Sequence, residues 1–169
     1  PNHPAVIEPP AGHGPRHYAY HPNGNFIYFD NEQGSSVTAY KFDSVTGTIE
    51  ALQTLSTIPY DFSGENSNAQ IHMSPGGKYL YAANRGHNSI AMYRINAETG
   101  TLRSLGQQPS LGTPRAFGID PSGKYMIVGG LDSGNLATYK IESTGTLTHL
   151  TTQSVGKLPM WIHIIDPNG

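Results

Sequence analysis

Short apolar stretches with period-two alternation run the length of the chain, and they recur in a fixed order. Phe26-Ile27-Tyr28-Phe29, Tyr79-Leu80-Tyr81-Ala82 and Tyr125-Met126-Ile127-Val128 follow the turns Pro22-Asn23-Gly24, Pro75-Gly76-Gly77 and Pro121-Ser122-Gly123. A second alternating segment comes next in each unit: Val37 to Phe42, Ile90 to Ile95, and Leu136 to Ile141. Each closes at a further turn, Thr46-Gly47, Thr99-Gly100 or Thr144-Gly145, after which another segment opens. Alternation over short runs bounded by Gly and Pro predicts β-strands, and no segment carries a convincing amphipathic helical period. Four short strands in a unit of about 46 residues is the pattern of a β-propeller blade.

The fold class predicted is therefore all-β, part of a propeller. Residues 1–13 read as a lead segment, with blades at 14–59, 68–111 and 112–157. Residues 60–67 read as an insertion loop, and 158–169 as the first strand of a closing blade, Met160 to Asp166. The first unit is longer than the others by about seven residues between Ile58 and Asn68, either a tolerated surface insertion or a loop over the central channel. Three blades and one strand do not close a ring, since propellers usually have four to eight blades. The chain is thus expected to be a fragment, completed by missing N-terminal blades or by self-association.

Composition narrows the function classes. Formal net charge is −2 and charged residues make up 13% of the chain, with no basic stripe of the kind nucleic-acid or membrane-surface binders carry. There is no cysteine, so neither disulfides nor thiol chemistry is available. Apolar runs are strand-sized, too short for a spanning helix. The start, Pro1-Asn2-His3-Pro4, has no initiator Met and no signal-peptide pattern, so a processed or truncated chain is expected, with the cytoplasm as default compartment.

Repeat alignment collects the candidate chemistry. The first strand of a blade lines the central channel, and the second returns antiparallel to the same mouth. Aligning the units gathers Arg16, His17, Glu32, Gln70, Arg85 and Arg115 around one opening, so three of the five arginines converge there. A guanidinium fork suits phosphate or carboxylate oxygens. Arg115 could instead tie blades together. His21 stands where Ser74 and Asp120 stand in the other units, a turn-capping position. His72 lies deeper on a first strand, either a satisfied core residue or a ligand. His3 and His13 fall in the Pro/Gly-rich lead and carry little signal. No metal-ligand spacing and no nucleotide-binding or nucleophile-elbow motif is present.

Gly14-Pro15-Arg16-His17, Tyr20-His21-Pro22-Asn23 and Asn31-Glu32 together resemble the signature of the seven-bladed β-propeller lactonase (cycloisomerase) family. Ile71 to Tyr81, Asn84 to Ile90, Pro114-Arg115-Ala116-Phe117 and Val155 to Trp161 extend the resemblance from Gly12 to Asp166. That family includes 6-phosphogluconolactonases and a fungal carboxymuconate cyclase. The resemblance implies hydrolysis of 6-phospho-D-glucono-1,5-lactone, a small phosphorylated sugar lactone, with no metal or organic cofactor. It implies Arg16 and Arg85 as anion or oxyanion ligands, and Glu32 or His17 as the base. Arg115 is a weaker phosphate candidate, and Gln70 and His72 are possible substrate contacts. The Arg16-to-Glu32 spacing matches an active-site pair of the cyclase branch. Gln70 departs from the acid many members carry there, and a histidine is expected upstream of this chain. Alternatives are a carboxymuconate-type cyclase, whose dicarboxylate substrate would suit the same arginines, and a non-catalytic propeller scaffold.

Overall fold

A computed structural model describes residues 6–165. Twelve strands form three four-stranded antiparallel sheets among these residues. The first blade holds β1 (Pro15–Tyr20), β2 (Phe26–Asn31), β3 (Ser36–Asp43) and β4 (Thr48–Ser56). The second holds β5 (Asn68–Met73), β6 (Tyr79–Asn84), β7 (Ser89–Ile95) and β8 (Leu102–Pro109). The third holds β9 (Pro114–Ile119), β10 (Tyr125–Gly130), β11 (Asn135–Ile141) and β12 (Leu147–Ser154). Each sheet is a meander in which sequence neighbours pair, so the blades are local and the chain passes from one to the next without a crossover.

Period two gives every strand two faces, and the second blade buries both, one against the first blade and one against the third. Phe26, Tyr28, Val37 and Ala39 of the first blade meet Ile71, Leu80, Ala91 and Tyr93 of the second. Tyr79, Tyr81, Ile90 and Met92 then meet Phe117, Met126, Val128 and Tyr139 of the third. The seams repeat a polar clamp as well. Tyr28 Oη donates to Gly100 O at 2.9 Å, and Tyr81 Oη to Gly145 O at 3.0 Å. Gly100 and Gly145 have φ of +72° and +87°, and a Cβ on either would strike the Phe26 or Tyr79 ring. Only glycine allows both the left-handed turn and the close approach.

The turn before each second strand is capped by its own side chain. His21 Nδ1 accepts the Asn23 amide at 3.2 Å, and its Nε2 lies 3.1 Å from Gly77 O of the next blade. Ser74 Oγ and Asp120 Oδ1 accept the Tyr79 and Tyr125 amides at 3.0 and 2.6 Å.

The expected final strand differs. Residues 155–165 make no ladder, and Asp166 lies outside the described residues. A strand needs a hydrogen-bonded partner, and after residue 154 the described chain supplies none. The segment instead lies against the third blade: Ile162 and Ile164 carbons come 3.2 and 3.3 Å from where a Gly118 Cβ would sit. Repeat alignment would turn His163 and Ile165 toward that blade, as Ile71 and Met73 turn toward the first. With no ladder to hold it, the segment takes the opposite facing, leaving Ile165 exposed. His3 falls outside the described residues.

Candidate functional site

The first two strands of every blade are joined by a ladder with one extra residue at the same end. The register shifts between Pro15 and His17, between Asn68 and Ile71, and between Gly129 and Gly130 opposite Pro114. A bulge re-aims the side chain it carries. In the first blade that residue is Arg16, and in the third Arg115. Second strands end at this same mouth, where the chain leaves β2 and β6 at Glu32 and Arg85.

Glu32 is the hub. Its amide donates to Gly14 O at 2.8 Å and its carbonyl accepts the Asn68 amide at 3.0 Å, fixing the residue between the lead segment and β5. Its carboxylate lies 3.5 Å from Arg16 Nε and accepts a hydrogen bond from Arg85 Nη2. Arg16 Nη1 also donates to Ala69 O, and Arg85 Nη2 to Asn68 O at 2.9 Å. Two guanidinium groups from adjacent blades thus converge on one carboxylate, braced by the β5 backbone. All three side chains keep a share of solvent access: 22% for Arg16, 35% for Glu32 and 18% for Arg85. That leaves the arginines reachable by an incoming anion.

His17 is next to this cluster. Burial holds its imidazole below the ordinary value, the Arg16 and Arg115 charges add to the lowering, and Glu32 opposes it. It is therefore a neutral base at neutral pH. Arg115 is near enough to act on His17 electrostatically, yet its side chain has no hydrogen bond or ion pair among the described residues, so its guanidinium donors are available. Gln70 is buried, and its Oε1 accepts the Phe117 amide at 2.8 Å, a bond that ties the second blade to the third. His72 packs edge-on against Phe117 with ring centroids 4.8 Å apart. Burial pushes its imidazole down to about 4, with His17 adding to the shift.

The longer first unit reaches this region as well. Asn66 is a knot between blades: its Nδ2 donates to Ser35 Oγ at 2.9 Å and to Asn84 Oδ1 at 3.1 Å. Its Oδ1 accepts the Gly86 and His87 amides, both at 3.0 Å. Glu65, Asn66 and Ser67 with Arg85, Gly86 and Thr113 line an open depression of about 630 Å³.

One residue of the region was not singled out by the sequence reading. Asp30 is fully buried, and its Oδ1 accepts the His17 amide at 2.7 Å. The signal was available in the repeat, since the other blades carry Ala83 and Gly129 at this position. Among the described residues no group of three or more His, Asp or Glu is arranged to hold a metal ion, and no helix is long and apolar enough to cross a membrane.

Comparison with known proteins agrees with this architecture. A 6-phosphogluconolactonase from Pectobacterium carotovorum is 37% identical over 156 residues, covering 92% of this chain and 47% of the relative. The crystal structure of a putative 6-phosphogluconolactonase from Bacteroides fragilis superposes with a TM-score of 0.89 at 31% identity, covering 98% of this chain and 46% of that one. A periplasmic gluconolactonase from Pseudomonas aeruginosa superposes with a TM-score of 0.87 at 27% identity, covering 93% and 44%. The chain spans about half the length of the curated relatives it matches. The sequence profile described as "Lactonase, 7-bladed beta-propeller" matches residues 2–164, and with three blades in the expected order the chain belongs to that family.

Proposed function

We propose that the protein carrying this chain hydrolyses 6-phospho-D-glucono-1,5-lactone to 6-phosphogluconate, and that the mouth formed by Arg16, His17, Glu32, Arg85 and Arg115 is part of its active site. The observation that carries the reading is the convergence of Arg16 and Arg85 on Glu32 at the mouth of a lactonase-family propeller. Lactone hydrolysis needs donors where negative charge develops on the carbonyl oxygen and a base for the attacking water. The two partly exposed guanidinium groups serve the first need. An anionic substrate competes with Glu32 for them and frees its carboxylate. Glu32 or the neutral His17 takes the proton of water as its oxygen bonds to the lactone carbonyl carbon. The ring C–O bond then breaks and the ring oxygen takes a proton, leaving the acid. Arg115, free of internal partners, serves the phosphate.

The test is the hydrolysis rate of the full-length protein on the phosphorylated lactone, corrected for spontaneous opening. Arg16→Ala and Glu32→Gln are each expected to lower kcat/KM by about 10²-fold or more. Near-wild-type rates in both variants would refute the assignment. Turnover of a carboxymuconate in place of the lactone would favour the cyclase reading instead.

A further inference from the structure

Asp30 occupies a place where the fold asks for a small apolar residue. On the same face of the second strand the next two blades have Ala83 and Gly129. This face is turned into the seam, and Ala83 there belongs to the apolar cluster between the second and third blades. Putting a carboxyl group there is costly unless it is neutral or paired. Asp30 is paired on one oxygen only. Its Oδ1 accepts the His17 amide at 2.7 Å, whereas its Oδ2 is buried without a hydrogen-bond partner. The amide it holds follows Arg16, the bulged residue whose guanidinium reaches Glu32.

Resting on the proposed lactonase site, we infer that Asp30 is a positioning residue of that site: it pins the bulge that aims Arg16, and its charge state sets how strongly Arg16 attracts an anion. The surroundings support this. Burial pushes the Asp30 carboxyl up to about 7; the His17 amide and Arg16 pull it down, and Glu32 adds to the rise. From β1 the charged or titratable groups near it are Arg16 and His17, and after β2 Glu32. Of β5, packed against β2, Ile71 turns toward the first blade, while Gln70 and His72 turn to Phe117 of the third, His72 being neutral at this pH; Val37 lies opposite on β3. Below about pH 7 Asp30 is uncharged and Glu32 alone answers Arg16 and Arg85. Above it a second carboxylate appears behind Arg16, and an anionic ligand meets a weaker positive field.

Two measurements on the full-length protein test this. Carboxyl carbon NMR of the aspartates, assigned with Asp30→Asn, reads the titration in the wild type without any need for activity. One aspartate is expected to titrate near 7 and to be missing from the variant. A spectrum in which every aspartate is ionised by pH 5 would overturn the inference. Calorimetric binding of 6-phosphogluconate, the proposed product, reads the consequence. Wild-type affinity is expected to fall by about tenfold more than that of Asp30→Asn between pH 6 and pH 8, the effect of one added like charge at partly shielded range. Parallel profiles for the two proteins would overturn the inference while leaving the site standing. Absence of binding at every pH, with a normal aspartate titration, would refute the lactonase site and with it the role given to Asp30.

Discussion

Gly86→Ala should release the loop of residues 60–67 from the mouth. Gly86 follows Arg85, and a Cβ there would collide with Glu65 O and come 2.8 Å from Asn66 Cα. Those are backbone atoms, which no rotamer change can move aside. The loop must therefore shift, and Asn66 would lose its hold on Ser35, Asn84, Gly86 and His87. At about 1 kcal/mol for each of four hydrogen bonds, the anchored loop loses about 3 to 4 kcal/mol, which raises its open population by about 10²- to 10³-fold. Limited chymotrypsin cleavage reads this directly, because Tyr60 and Phe62 lie in the loop and Tyr60 is already fully exposed. When opening is fast relative to cleavage, the rate follows the open population, so cleavage in the loop should accelerate by a similar factor. Asn66→Ala removes the same bonds without the collision and should give a similar acceleration. Cleavage of Gly86→Ala within about threefold of wild type would mean that the strap contributes far less than 1 kcal/mol per bond, and the reasoning would fail.

Tyr28→Phe and Tyr81→Phe each delete a buried bond to a glycine carbonyl of the next blade and should each cost about 1 to 2 kcal/mol in urea unfolding. The two seams share no residues of the clamp, so the double variant should lose about the sum. Burial depresses the His72 imidazole in the folded state, so stability should fall as pH drops from about 6.5 toward 4, where the unfolded chain binds a proton and the folded one does not. Its partial solvent access limits the loss to about 1 to 3 kcal/mol, and His72→Gln should flatten the slope between pH 7 and pH 5.

The blades were legible because each strand states its own period and each turn its own chemistry. His21, Ser74 and Asp120 cap equivalent turns although their side chains differ, and alignment on the following prolines was enough to find them. The convergence of Arg16, Glu32 and Arg85 was legible for a related reason: antiparallel meanders return to the same mouth, so repeat position becomes spatial position. Asp30 was not legible because an aspartate beside Asn31 and Glu32 has the pattern of a solvated turn, and only the seam encloses it. Gln70 read as a mouth residue by position, yet its side chain turns sideways to bond the Phe117 amide, a choice made by the neighbouring blade. Residues 160–165 alternate like a strand, but alternation records a preference, and no strand among the described residues pairs with them.

Glu32, Arg85 and Leu131 stand at one repeat position in three successive blades, an acid, a base and an apolar residue in a single column. A ring of identical blades would place like charges side by side in that column and could hold no ion pair between its members. Divergence between neighbours turns the repetition into a chemical gradient. The acid of one blade finds its base on the next, and the interaction exists only across the seam. The smallest unit able to display this arrangement is therefore two blades in order. Reversing their order, with every side chain kept, would put the acid and the base on the wrong sides of the joint and abolish the pair.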